Sequence, residues 1–243
     1  MIVKYLLAAL VAGLIAGGLV TVAQQAKVVP LILEAEKYEN APVAAHEHMS
    51  GLNFTLATKA EAHEHEAVAE SSEEEGGMMF GVSRITGTLM GNLVTGCGFA
   101  LILLAVSLFT GQAVTVANGA LWGAVAWLSF QLLPSIGLPP ELPGFPAAEV
   151  TDRQLWWLGA VIASVAGLYL IILRPEIWSK VAGLVVLLVP HLIGAPQPAD
   201  ITSNVPAVLA AEFAVASLAT GLFFWVVIGL LLGTFNARFA KTA

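Results

Sequence analysis

Residues 5 to 23 read YLLAALVAGLIAGGLVTVA, and this stretch decides the fold. It carries no charge, and about 20 apolar residues in a helix cross a bilayer. Lys4 stands just before it, and small residues lie near Ala23. A cleavable signal peptide shares those features, but its apolar core is only about 7–15 residues long. The run is longer than that and is read as a retained span. The whole chain agrees: 58% of its 243 residues are hydrophobic and 11% are charged, whereas a soluble domain carries about 25% charged residues. The protein is therefore expected in a lipid bilayer, with most of its mass in the membrane.

Moving outward, QQAKVVPLILEAEKYE (24 to 39) keeps a helical apolar rhythm. It either extends the first helix beyond the membrane or lies along the surface. Further apolar runs cover 85 to 109, 113 to 133, 155 to 173, 177 to 194 and about 208 to 235. Only TGQ separates the second run from the third, which predicts a tight helical hairpin. The run at 177 to 194 is short and contains Pro190. The expected fold is an all-α, multi-pass transmembrane helical bundle of five or six spans with one long His/Glu-rich extracytoplasmic loop. Its parts are a first helix and amphipathic extension (1–39), a flexible His/Glu-rich loop (40–84) and the remaining bundle (85–243). Gly13/Gly17, Gly87/Gly91, Gly119/Gly123 and Gly229/Gly233 each form G-x-x-x-G, a spacing that lets helix backbones approach in lipid.

Orientation follows from the basic residues, because short cytoplasmic loops are enriched in Lys and Arg. With an even number of spans and both ends inside, Lys4, Arg174, Lys180, Arg238 and Lys241 are cytoplasmic. The short outer loops then hold only Arg153, and the His-rich loop faces outward, into a bacterial periplasm. The net charge of −7 is concentrated: eleven of seventeen acids lie between Glu34 and Glu75. No nucleic-acid partner is implied. Cys97 is the sole cysteine, so no internal disulfide can form.

Four of the five histidines fall in AHEHMSGLNFTLATKAEAHEHE (45 to 66), as the pairs His46/His48 and His63/His65. Neutral imidazole suits nickel, copper, zinc and cobalt. Residues two apart lie about 200° apart around a helix but share a face in an extended chain. His-x-His therefore chelates best where the chain is irregular, and low-hydrophobicity, charged segments such as 40 to 77 rarely fold alone. Two pairs, flanked by Glu47, Glu64 and Glu66, can close on one ion. The bland alternative is a solvated acidic loop with incidental histidines. Because imidazole must be unprotonated to bind metal, capture weakens below the free histidine pKa of ~6.5.

His191 is the fifth histidine. It follows Pro190, which lacks a backbone donor and frees a carbonyl one turn earlier. An ionisable group at membrane depth is a candidate site; a structural residue at the interface is the competing reading. Asn92, Asn118 and Gln131 interrupt apolar runs and fit interhelical hydrogen bonds. Glu34 and Glu36, just outside the first span, either guide a cation or sit in water. The sequence has no G-x-x-x-x-G-K-[ST] phosphate loop, no H-E-x-x-H and no nucleophile–base motif, so neither ATP use nor enzymatic activity is indicated.

QAKVVPLILEAEKYE, ALWGAVAWLSFQLLPSIGLPPELPG (with Ala120 where the pattern has glycine), RQLWW, PHLIGAPQP and FAVASLATGLFFWVVIGLLLG occur in that order. Together they resemble the CbtA family of predicted cobalt transporter subunits, over nearly the whole chain. The resemblance implies a multi-pass protein of the bacterial inner membrane, usually with five spans, that takes up cobalt in connection with cobalamin supply. It also implies a small His-bearing single-span partner, CbtB. Cobalt or a related divalent cation is then the cargo, with no permanently bound cofactor. His46, His48, His63, His65 and His191 are the candidate metal ligands. A non-transporting membrane scaffold or regulatory subunit, and transport of nickel or another divalent metal, are the alternatives.

Overall fold

The computed structural model describes residues 2–39 and 82–241. Among them every element is helical: α1 (Ile2–Lys27), α2 (Val29–Glu39), α3 (Arg84–Thr110), α4 (Gly119–Trp127), a π-helical turn (Leu128–Leu132), α5 (Leu133–Ser135), α6 (Val150–Leu173), α7 (Ile177–Ile193) and α8 (Ala207–Lys241). Helices α1, α3, α6 and α8 are long and apolar enough to cross a membrane. Helix α7 has 17 residues; α4, the π-turn and α5 run on as one rod of similar length. At about 1.5 Å per residue, such helices reach roughly 25 Å, short of the ~30 Å hydrocarbon core. The expected multi-pass bundle is thus present, with four full-length helices and two shorter ones.

The bundle is built from pairs. Helix α1 packs along α3 and α8, α4 along α8, and α6 along α7. Glycines line each close crossing. A Cβ on Gly13 would strike the Gly96 backbone, and one on Gly17 would strike that of Asn92. Across the second pair, Gly119 lies on Gly229 and Gly123 on Trp225; Gly167 meets Gly183 between α6 and α7. Ala8, Ala9, Ala12 and Ala16 of α1 are fully buried, and Trp225, Ile228 and Leu232 of α8 fill the centre.

The tight hairpin expected between the second and third runs does not form. Gly111, at φ 68°, caps α3, and the chain stays non-helical through Asn118. The Asn118 side chain accepts from the Thr115 N–H at 2.7 Å and donates to the Ala113 carbonyl at 3.0 Å. Such local side-chain bonds compete with helix formation. Helix α4 then starts at Gly119 and pairs with α8, whose glycines match its own, instead of returning along α3.

Residues 24 to 39 bend where Pro30 lacks a donor. Val28 forms the turn, with its N–H on the Gln24 carbonyl at 2.8 Å and its own carbonyl accepting from Leu31 and Ile32. The chain continues as α2, a separate helix. Val28 and Ala35 pack with Leu142, Val205 and Phe213 in a second apolar core. This core joins α2 to the 136–149 and 194–206 connections and to the start of α8, at the end of the bundle opposite both chain termini.

Candidate functional site

The α2 end of the bundle carries most of the charge. Glu36 and Arg84 form a two-pronged ion pair, at 2.8 and 3.2 Å, joining the end of α2 to the start of α3. Glu34 pairs with Lys37 at 2.6 Å; the hydrogen bond and charge of Glu34 raise the Lys37 ammonium above its ordinary pKa. Arg153 holds Glu141 at 2.8 Å. Asp200 accepts the Thr202 backbone N–H at 2.9 Å, which lowers its pKa. Glu34 and Glu36 are therefore each matched to a cation of the chain itself. His46, His48, His63 and His65 lie outside the described residues. Among the described residues no three of His, Cys, Asp and Glu come close enough to hold a metal.

His191 sits in the last turn of α7, at this same end. Its ring meets Trp156 of α6 edge-on, with centroids 5.9 Å apart. Trp156 Nε1 donates to the Pro190 carbonyl at 3.3 Å, so one indole fixes both residues of the Pro-His pair. Trp156 is in turn covered by the backbone at Gly137, where a Cβ would strike its ring. His191 Nδ1 is buried and has no hydrogen-bond partner. The role of Trp156 escaped the sequence reading, because nothing local links residue 156 to residue 190.

The three polar residues that interrupt apolar runs have different fates. Asn92 of α3 donates to Thr21 Oγ1 at 2.9 Å and to Gln24 Oε1 at 2.7 Å, both on α1. It is an interhelical hydrogen-bonding residue, as expected. Asn118 serves the loop before α4. Gln131 lies in the π-turn, and its Oε1 is buried with no partner. Its carboxamide rests on α8 where Gly221 leaves the backbone bare; a Cβ there would collide with Oε1. One residue earlier, Phe130 packs against Phe99, Trp225 and Trp157, with centroids at 5.7, 5.3 and 6.5 Å. The π-turn was not foreseen, although Pro134 was its visible signal: a proline cannot close the ordinary helical ladder behind it.

The centre of the bundle is an apolar, aromatic core around Phe99, Phe130, Phe224 and Trp225. Near the chain termini, an open cleft of about 350 Å³ is lined by Tyr5, Ser107, Val114 and Asn236 among others. Asn236 donates to the Val114 carbonyl at 3.3 Å, while its Oδ1 is buried and unpaired.

A family model described as "Probable cobalt transporter subunit (CbtA)" matches residues 2–237. No curated protein and no solved structure matches the chain.

Proposed function

Because the chain belongs to the CbtA family of probable cobalt transporter subunits, we propose that it is the membrane subunit of a cobalt uptake system of the bacterial inner membrane. The family match over residues 2–237 is the observation that carries this reading; the apolar helices suit it. In this proposal the segment bearing His46, His48, His63 and His65 faces the periplasm and gathers a scarce cation. His191, fixed by Trp156 with an unpaired buried Nδ1, receives the ion at the same end of the bundle. The system supplies cobalamin synthesis and works with a small CbtB-type subunit.

A second reading draws on the packed aromatic core: the chain is a scaffold that docks or regulates another permease and conducts nothing itself. Radiocobalt uptake by whole cells, with and without the small subunit and with nickel as competitor, tests the two. Replacing His46, His48, His63 and His65 together by Ala is expected to lower uptake at limiting cobalt and leave it unchanged at saturation. His191→Ala is expected to lower uptake per membrane-inserted molecule even at saturation. Parental uptake at limiting cobalt in the first variant removes the capture role. Unchanged normalised uptake in the second removes His191 from the path.

A further inference from the structure

We propose that Gln131, on the π-turn, is a cation-coordinating residue inside the membrane part of the bundle, and the next station after His191; its role in transport rests on the uptake reading above. A buried polar atom without a partner costs about 1–3 kcal/mol, and among the three polar residues in the apolar runs only Gln131 has an unpaired buried oxygen. A π-turn is an uncommon interruption that recurs at functional sites. Here Pro134 follows it, and its nitrogen can donate to neither the Phe130 nor the Ser129 carbonyl. The ladder crosses the turn through the Leu133 N–H on the Leu128 carbonyl. The π-turn thus carries an unpaired side-chain acceptor, Gln131 Oε1, on a stretch where Pro134 leaves the ladder one donor short.

The surroundings select the ligand. Gly221 gives the carboxamide its place on α8. The hydroxyl of neighbouring Thr220 is turned onto the Ala216 and Ser217 carbonyls, at 2.9 and 3.1 Å, and Trp127 Nε1 is engaged by the Leu218 carbonyl at 3.0 Å. These two donors are thus occupied, while Gln131 Oε1 remains an open acceptor. A neutral carboxamide oxygen can take a cation, held directly or through its water shell. Oxygen ligands hold a late first-row divalent metal less firmly than imidazole does. A weaker station after a stronger one suits passage, because a conducted ion must leave as well as enter. Adjacent residues of α6 reach the two neighbourhoods: Trp156 lies against His191, and Trp157 against Phe130, the residue before Gln131.

Two measurements test the proposal. The first is radiocobalt uptake over a concentration series, normalised to membrane abundance, for wild type, Gln131→Leu, Gln131→Glu and Gly221→Ala. Gln131→Leu is expected to lower the maximal rate about tenfold. Gly221→Ala, which displaces the carboxamide without removing it, lowers it in the same direction. Gln131→Glu keeps the shape but holds the ion longer, so both the half-saturating concentration and the maximal rate fall. The second measurement is equilibrium radiocobalt binding to the purified chain in nanodiscs, with His46, His48, His63 and His65 replaced by Ala; Gln131→Leu is expected to weaken it about tenfold. Normalised uptake within twofold of wild type, together with unchanged binding, overturns the proposal. Gln131-dependent binding in a chain that takes up no cobalt overturns the transport reading and leaves the cation site standing.

Discussion

Two of the three glycine-lined helix crossings treat their polar residues in opposite ways. Between α1 and α3, Gly13, Gly17 and Gly96 bring the backbones together, and Asn92 ties the crossing with two hydrogen bonds. Between α4 and α8, Gly119, Gly123 and Gly229 do the same, but Gln131 lies against α8 with its oxygen unpaired. The first crossing pairs its Asn92 amide and reads as structure there. The second keeps an unmet acceptor beside a π-turn, a departure from local stability that marks a candidate site.

The largest effect is expected from filling either crossing. Gly17→Leu and Gly123→Leu each drive a side chain into facing backbone. Overpacking typically costs about 1–3 kcal/mol, and backbone yields less than a side chain. Both variants are expected to lose most of their folded, membrane-inserted protein, measured as monodisperse material after extraction. Sensitivity at one crossing alone would break the parallel between them.

A smaller effect of opposite sign separates the two polar residues. Asn92→Leu removes interhelical bonds, which average ~0.6 kcal/mol and reach ~1.7 kcal/mol in a membrane protein, so a loss of about 1 kcal/mol is expected. Gln131→Leu replaces an unpaired buried amide with an apolar group and is expected to leave stability unchanged or higher. Unfolding midpoints in one detergent compare them. Equal destabilisation by both would mean that Gln131 is structural after all.

The smallest effect is expected at Gly91. A Cβ there meets nothing within 4 Å, so Gly91→Leu should change the stability of this chain by less than ~0.5 kcal/mol. A large loss of stability would show that the Gly87/Gly91 motif is packed within the chain, as the other three G-x-x-x-G motifs are.

Much of this was legible in the sequence. Apolar run length predicted α1, α3, α6 and α8, because a bilayer imposes its thickness on any helix that crosses it. The weak run at 177 to 194 did become a short helix. Of the four G-x-x-x-G motifs within the apolar runs, three pointed to real crossings, but the partner of Gly13 proved to be Gly96, which belongs to no such motif. The tight hairpin failed because a count of residues between apolar runs ignores the bonds that Asn118 makes with its own backbone. Of the candidate site, His191 was visible as an ionisable residue beside a proline, while Trp156 was not.

The sequence alone determined that this is a multi-pass helical membrane protein, and it marked Gln131 and His191 as polar exceptions. Those conclusions rest on composition and spacing, which the chain carries locally. The tertiary structure decided which exceptions have partners. Asn92 and Gln131 look alike in sequence, each an amide in an apolar run. Their difference arises because α1 offers Thr21 and Gln24 to one, while α8 offers bare backbone at Gly221 to the other. Hydrogen bonds between helices depend on register and rotation, and these are fixed only when the helices pack.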